Sequence, residues 1–195
     1  MVAIKTSEKN NDKRKAILDA SLKLFCNKCF QDTSTASISQ EANVATGTLF
    51  LYFENKETLV NELYLECKDE FSAYLEKDIE TNLTFKTKLK HIWEKGIEWR
   101  INNPDKLKFM MQFSTSPYIT KMTKDKALTR FTLLNVIVKE GIISKEISAS
   151  DEELLTAMLA GYLHTSASFL MEKVSDKRFK KWKEEAFDYI WRGIH

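Results

Sequence analysis

The residues of this sequence whose types and spacing best suit a chemical role are Thr46, Gly47 and Thr48, at the start of a short predicted helix. A second short helix, predicted over residues 35–42 with Ser34 as its N-cap, precedes them. Helices this short are unstable alone, and their connection is too short for an antiparallel pair. The pattern is typical of a helix-turn-helix, in which small polar residues of the second helix approach bases and phosphates in the major groove of DNA.

Other residue types that could do chemistry are sparse. Cys26 and Cys29 form a C-x-x-C pair, the spacing of a zinc or redox site, but no second pair follows and the histidines are remote in sequence. We therefore interpret one cysteine as a core residue and the other as lying at a helix end. Because the sequence has no H-E-x-x-H, phosphate-binding glycine loop, G-x-S-x-G or supported carboxylate pair, we expect no metal, no cofactor and no catalytic activity.

The composition predicts an all-α protein. Five glycines and two prolines in 195 residues are too few for the tight turns of a sandwich, a barrel or a Rossmann unit. No apolar stretch approaches the roughly 18 residues of a membrane span, so we expect a cytoplasmic protein with no membrane partner. The 30 basic and 28 acidic residues leave a net charge of +2, which by itself does not argue for nucleic acid.

Periodicity and capping residues predict about ten helices. The fourth, from Lys56 to about Ile79, is long enough to link two domains. Gly141 is expected to stop the eighth helix, and Ser150 with Glu153 forms an S-x-x-E capping box at the start of the ninth. The predicted ranges are 12–28, 35–42, 46–52, 56–79, 85–103, 107–113, 117–121, 124–140, 151–171 and 176–191.

Residues 14–60 resemble the TetR-type family of bacterial transcriptional repressors. The resemblance is carried by RKAILDASLKLF and by ISQEANVATGTLFLYFENKETL, above all by the linked string G-T-L-F-x-Y-F-x-N-K-E-x-L. It implies an N-terminal three-helix DNA-binding domain over residues 1–55. It also implies a larger helical domain over residues 56–195 that binds a ligand and forms the dimer contact.

The resemblance also implies which residues contact DNA. The second helix would meet phosphate at its start, the third would enter the groove, and flanking residues would contact phosphate. Three residues depart from the family pattern: Cys29 and Asn43 replace glycines, and Phe50 replaces a tyrosine whose hydroxyl could donate to phosphate. The implied DNA-binding set is Arg14, Ser34, Thr35, Thr46, Gly47, Thr48, Phe50, Tyr52 and Lys56. For Lys56, an ordinary solvated surface lysine is the alternative.

The larger domain is rich in aromatic residues and methionine, which suits either an ordinary core or an apolar ligand site between helices. The family resemblance favours a ligand site. His164 is interpreted as a hydrogen-bonded core histidine or as a polar contact for the ligand. Glu94 or Glu98 could recognise a cation or a hydroxyl. The predicted ligand-binding residues are Trp93, Ile97, Phe109, Phe113, Phe131, Tyr162 and His164.

The ninth predicted helix is apolar nearly all round, which predicts burial on two sides. One stripe of small residues would let a second helix approach closely, so the last two helices suit a four-helix bundle made by two subunits. This is also the arrangement that the family resemblance implies. The predicted dimer residues are Ala157, Gly161, Ser168, Met171, Trp182 and Phe187.

Together these observations predict a ligand-responsive transcriptional regulator, a repressor without catalytic activity. It would bind a palindromic double-stranded DNA operator as a homodimer and be released by a small, mostly apolar inducer. The alternative is a helical small-molecule binding or adaptor protein of the same fold that lacks specific operator binding. Phe50 and the modest charge of the first domain keep that alternative open.

Overall fold

The structure, a computed structural model, describes residues 2–80, 83–130, 132–148 and 151–194, with the side chains from residue 11 onward except those of residues 128 and 130. These residues form ten α-helices and no strand, which confirms the all-α prediction. The helices are α1 (Val2–Asn27), α2 (Thr35–Glu41), α3 (Thr46–Tyr52), α4 (Lys56–Glu76), α5 (Phe85–Asn102), α6 (Pro104–Ser114), α7 (Lys121–Arg130), α8 (Leu133–Ile143), α9 (Glu152–Met171) and α10 (Phe179–Ile194).

The predicted seventh and eighth helices are wrong. Residues 117–120 form a turn, and the predicted helix over residues 124–140 is divided between α7 and α8. Gly141 does not stop α8 but lies inside it, where its backbone faces the ring of Phe85. The helix ends instead near Lys145, whose φ of 59° is left-handed, and the amide of Glu146 donates back to the Gly141 carbonyl at 3.0 Å.

The last two helices begin later than predicted. Ser150 lies outside the described residues, and the N-cap of α9 is Asp151, whose carboxylate accepts from the amide of Leu154 at 2.8 Å. α10 begins at Phe179 rather than at Asp176. The reason is that the Asp176 carboxylate accepts from the amide of Arg178 at 2.8 Å, which holds this segment in a turn.

The chain divides into two compact units. The first unit comprises Met1–Lys68 and Pro104–Ala127, and the second comprises Asp69–Asn103 and Leu128–His195. The helix-turn-helix segment therefore shares its unit with α6 and most of α7, from a distant part of the chain. The predicted functional boundary at residue 55 concerns which residues bind DNA and which bind ligand, and it stays a prediction.

The first unit is organised around an aromatic cluster. The ring of Phe25 lies 5.8 Å from that of Phe30, 6.2 Å from Phe109 and 5.5 Å from Phe113. Phe30 in turn stacks on Tyr118 with ring centroids 3.8 Å apart. These contacts join α1 to α6 and give the two short helices a rigid support, since offset and tilted aromatic pairs add to the stability from buried apolar area.

The second unit packs α5 against α8, α9 and α10. Its centre is apolar, with Trp93 5.8 Å from Tyr162 and 6.4 Å from Phe187 between ring centroids. Gly96 of α5 lets Leu163 of α9 come close to α5. Gly141 of α8 likewise lets Phe85 of α5 come close to α8. Close helix packing explains why glycine is used at these two positions inside helices.

One face of α9 is apolar and uncovered. Leu154 is 60% exposed, Met158 is 63% exposed and Phe169 is 47% exposed. By length and composition α9 could also cross a membrane, a weak indication because core helices of soluble proteins meet the same criterion. Several exposed apolar side chains along one helix face are typical of a contact surface.

The packing at Gly141 predicts that Gly141→Ala destabilises the protein. An added Cβ would lie 2.8 Å from Cγ of Phe85, a ring that is 97% buried and cannot leave without displacing its neighbours. We expect the strain to outweigh the helix preference of alanine and to lower the free energy of unfolding by about 1–2 kcal/mol, measured by urea denaturation.

Gly193→Ala is the matched control, because a Cβ at Gly193 meets nothing within 4 Å. It should leave stability unchanged or raise it slightly. Equal stability of both variants would show that Phe85 moves freely and that the contact is not tight.

Candidate functional site

The first short helix of the candidate site is fixed at its start by two serines. Ser34 has extended backbone angles, and its Oγ accepts from the amide of Ser37 at 3.0 Å. Ser37 Oγ donates to the Ser34 carbonyl at 2.7 Å. The predicted cap is confirmed, and Ser34 stays exposed while Thr35 is half-buried.

The turn between α2 and α3 depends on Asn43. Its φ of 53° lies in the left-handed region that asparagine tolerates, as its place in the turn predicts. The amide of Val44 then donates to the Ser39 carbonyl at 2.9 Å. Ile38 of α2 and Leu49 of α3 are fully buried, so apolar packing fixes how the two short helices lie against each other.

α3 offers most of its surface to solvent. Thr46 and Gly47 are exposed, Thr48 is half-buried, and Leu49 is the buried residue among the seven. Phe50 is 47% exposed and Leu51 is 82% exposed. Large apolar side chains on an otherwise polar surface mark a contact surface, so α3 has the exposure expected of a helix that reads a partner.

Lys56 has a structural role that the sequence did not indicate. Its Nζ donates to the carbonyls of Phe30 at 2.7 Å and Thr33 at 2.9 Å, and lies 4.1 Å from the centroid of the Phe30 ring. Desolvation lowers the pKa of this ammonium. Lys56 thus holds the segment that leads into α2, and one of its three N–H donors is left for a phosphate.

Arg14 is held in the same way by α4. Its Nη2 lies 2.8 Å from a carboxylate oxygen of Glu62, its Nη1 lies 2.9 Å from one of Glu66, and its guanidinium lies 5.6 Å from the ring centroid of Phe53. These contacts tie α1 to α4 behind α3. A contact from Arg14 to phosphate stays a prediction, but the structure gives the guanidinium an internal partner at each end.

Tyr52 is half-buried, and its ring lies 6.5 Å from that of Phe53.

The residues that the resemblance implies for DNA binding fall into two groups. Those on α3 and at the start of α2 are exposed or half-buried, whereas Arg14 and Lys56 make internal contacts that position α2 and α3.

The two described cysteines of the C-x-x-C motif have different surroundings. Cys26 is buried, its Sγ donates to the Asp105 carbonyl at 3.2 Å, and desolvation raises its pKa. Cys29 is exposed next to the end of α1. Within the described part of the chain, no group of three or more His, Cys, Asp or Glu is placed to hold a metal ion.

The predicted ligand-binding residues are divided between the two units. Phe109 and Phe113 were expected beside Trp93 but lie in the aromatic cluster of the first unit, because α6 packs on α1. Phe131 lies outside the described residues. Trp93 and Tyr162 do meet in the second unit, where the Tyr162 hydroxyl donates to the Ala186 carbonyl at 2.9 Å.

Two cavities of the second unit differ in chemistry. An apolar centre of about 20 Å³ is nearly filled by its own walls, Leu89, Ile92, Trp93, Leu134, Leu159, Leu163, Phe187 and Ile190. A more open cleft of about 430 Å³ contains the predicted Ile97, Glu94 and Glu98, with His91, Lys95, Ile101, Asn102, Phe179 and Lys183. His164 is half-buried on α9 and lines neither cavity.

The predicted dimer residues are mostly on the surface. Ala157 and Gly161 are exposed on α9, while Ser168, Met171 and Trp182 are half-buried. Phe187 is 97% buried beside Trp93, so its assignment to the dimer contact is wrong: α10 turns this ring into the core of its own unit. The predicted dimer set instead lacks Leu154, Met158 and Phe169, which are all exposed on α9.

Known proteins resemble this chain in sequence and fold. Residues 17–63 match the family of bacterial regulatory proteins, tetR family. The Fatty acid metabolism regulator protein of Bacillus subtilis is 26% identical over 182 residues, covering 92% of this chain and 94% of that protein. A solved structure from Shewanella sp. PV-4, assigned to the tetR family of transcription regulators, is 28% identical, covers 93% of this chain and 97% of its own, and has a TM-score of 0.85.

The solved structure of the transcriptional regulator FadR from Bacillus subtilis in complex with stearoyl-CoA also shares the fold. It is 24% identical, covers 93% of this chain and 99% of its own, and has a TM-score of 0.77. These comparisons confirm the resemblance to the TetR family and the fold that the resemblance implied. The relatives are regulators of transcription rather than enzymes.

The two hydrogen bonds of Lys56 predict that Lys56→Ala lowers the free energy of unfolding by about 1–2 kcal/mol, because two carbonyls lose a charged donor. Urea denaturation measures this loss. Lys28→Ala, which removes an exposed lysine from the same unit, is the control and should have no effect. An unchanged stability of Lys56→Ala would contradict the structural role.

The same variant tests the phosphate contact. If the third N–H of Lys56 meets a phosphate, the slope of log K against log salt concentration for DNA binding should become shallower by about one unit. A weaker complex with an unchanged slope would assign the whole effect to the position of α2.

Proposed function

We propose that this chain, a member of the TetR family of bacterial regulatory proteins, is a ligand-responsive repressor of transcription. It binds a palindromic operator as a homodimer and is released by a small inducer with a mostly apolar body. The observation that carries the proposal is α3, a helix whose polar first residues are exposed while its one buried side chain, Leu49, fixes it on a rigid support. Such a regulator acts in the cytoplasm.

The exposed surface of α3 supports a role in the major groove. Thr46 and Thr48 carry hydroxyls that can donate to and accept from base edges, and Gly47 lets the helix backbone come close to DNA. Ser34 and Thr35, exposed and half-buried at the start of α2, would contact phosphate. Phe50 and Leu51 can contact thymine methyl groups, because such contacts need only an exposed apolar side chain.

The uncovered face of α9 supports the homodimer. Leu154, Met158 and Phe169 expose apolar surface along it, while Ala157 and Gly161 leave room for close approach of a second helix. A two-fold dimer buries the same face of both copies. It also presents two α3 helices, which meet a palindrome when they lie about 34 Å or one DNA turn apart.

The second unit supports the response to a ligand. Eight apolar side chains surround its centre, and a ligand bound there alters DNA affinity only through different affinities for the competent and incompetent states. α4 contributes residues to both units and provides a continuous element for the coupling. The name of the Bacillus subtilis relative, a regulator of fatty acid metabolism, favours an inducer with an aliphatic chain.

The rival proposal is a small-molecule binding or adaptor protein of the same fold without specific operator binding. It is favoured by Phe50, which lacks the hydroxyl that the family's tyrosine could use on phosphate. The two proposals differ in one observable property, because only a repressor selects a defined DNA sequence.

Three exposed glycines allow a matched test. Gly47 on α3, Gly161 on α9 and Gly193 on α10 have nothing within 4 Å of an added Cβ, so each accepts glutamate without a steric clash. Wild type should enrich a palindrome from fragmented genomic DNA. Gly47→Glu should stay dimeric but lose at least about tenfold in affinity for that palindrome, since its carboxylate faces phosphates.

Gly161→Glu should become monomeric and lose operator affinity together, measured by sedimentation and by fluorescence anisotropy. Gly193→Glu is the control that carries the same charge change and should keep both properties. An unenriched pool from wild type would favour the adaptor. Tight palindrome binding by monomeric Gly161→Glu would remove the dimer from the reading mechanism.

A further inference from the structure

Arg100 on α5 is a buried cation without a counter-charge. It is 92% buried, and its Nη1 donates to the Gly96 carbonyl at 3.2 Å. Its Nε reaches no hydrogen-bond acceptor, and among the described residues no carboxylate pairs with the guanidinium. Burial lowers the pKa of Arg100 to about 10, which leaves the group charged at neutral pH.

The other arginines with described contacts show what Arg100 lacks. Arg14 meets the carboxylates of Glu62 and Glu66, and the exposed Arg178 meets that of Asp176. Among the described residues, the Arg100 guanidinium has the Gly96 carbonyl and the face of Phe71, 4.7 Å from its Cζ to the ring centroid, but no carboxylate. A cation over an aromatic ring is stabilised, but far less than the loss of water around a buried charge costs. The site therefore lacks an anion.

The position of Arg100 connects it to the apolar centre of the second unit. Arg100 Nη1 and the two Cδ atoms of Leu163 all lie within 3.2 Å of the position that a Cβ on Gly96 would occupy, so both side chains pack against Gly96. Leu163 is also a wall of the apolar centre next to Trp93. The buried cation is thus a neighbour of one wall of the apolar centre, through Gly96 and Leu163.

We propose that the inducer is an amphiphilic carboxylic acid, whose carboxylate pairs with Arg100 and whose apolar body enters the centre beside Leu163 and Trp93. This inference rests on the proposed function, in which the second unit binds the effector. It narrows the ligand class to acids and excludes the cationic aromatic compounds that Glu94 and Glu98 would otherwise favour.

The chemistry of the guanidinium supports a carboxylate. Nη1 donates to the Gly96 carbonyl and Nε has no acceptor, so the edge that Nε forms with Nη2 has the geometry for two parallel N–H···O bonds to one carboxylate. Neutral alcohols accept only one such bond, and amines are repelled. The charge-assisted pair in a water-poor site would supply most of the discrimination between these compounds.

The size of the site sets the length of the acid. Arg100 lies seven positions after Trp93 on α5, a distance of roughly 10 Å along the helix axis at about 1.5 Å per residue. A saturated chain of medium length covers this span. Because the apolar centre measures only about 20 Å³, its walls must move apart as the chain enters, which couples binding to the packing of α5 against α9.

The test uses decanoate, decan-1-ol and decylamine as probes, titrated calorimetrically into the full chain. Wild type should bind decanoate at least about tenfold more tightly than decan-1-ol, and decylamine should bind most weakly. Arg100→Met should bind decanoate no better than decan-1-ol while keeping its affinity for the alcohol. Lys139→Met removes an exposed positive charge from α8 of the same unit and should behave as wild type.

Thermal unfolding gives an independent measurement that a merely structural arginine would not produce. Arg100→Met should unfold at a higher temperature than unliganded wild type, because it removes an uncompensated buried charge, and decanoate should no longer raise its Tm. A Tm below that of wild type together with unchanged decanoate binding would overturn the proposal. Failure of wild type to bind decanoate would overturn it as well.

Operator release separates this inference from the proposed function. If wild type selects an operator and decan-1-ol releases it as well as decanoate does, the repressor stands and the acid is wrong. If no operator is enriched but decanoate binds wild type and not Arg100→Met, the acid site stands and the repressor is wrong.

Discussion

The ring and carbonyl of Phe30 are the point on which the two short helices depend. The ring packs between Phe25 and Tyr118, and the carbonyl accepts from Lys56, whose ammonium also lies over the ring. Phe30 therefore joins α1, the connection after α6 and the first residue of α4. Seven-residue helices cannot hold their own conformation in water, so α2 and α3 keep theirs because this junction and the buried Ile38 and Leu49 fix them.

That dependence explains which part of the fold could be predicted from sequence. The bounds of α3 were predicted without error because its signals are local: a hydroxyl-rich start, a short run of apolar residues and a break at Phe53. The support for α3 is not local. Cys26 reaches Asp105, and Asn61 reaches the backbone of residues 118 and 120, contacts between segments that no spacing rule connects. For this reason the sequence could not show that Phe109 and Phe113 lie in the first unit, since an aromatic-rich helix has the same composition in either unit.

Residues of the second unit show a second limit. Glycine often ends a helix, but Gly141 lies inside α8 and leaves space for the ring of Phe85. The residue type alone does not distinguish these two roles. Phe187 and Phe169 are both aromatic residues at helical spacing, yet one is 3% and the other 47% exposed. Arg100 could not be singled out because a basic residue on a helix is ordinarily solvated. Only the burial of its neighbours, including Gly96 and Phe71, turns it into a candidate site.

The two units differ in how many of their charged groups have partners within the chain and in how much apolar surface they leave exposed. In the first unit Arg14, Lys56 and Ser34 have partners within the chain, so these side chains need no ligand to hold their positions. Among the described residues of the second unit, a buried guanidinium has no carboxylate partner, and one face of α9 exposes apolar side chains. A ligand or a second copy that covers these groups would stabilise the second unit. It alters DNA affinity only where it binds two states of the protein unequally, and α4, which contributes residues to both units, is the element through which those states would be coupled.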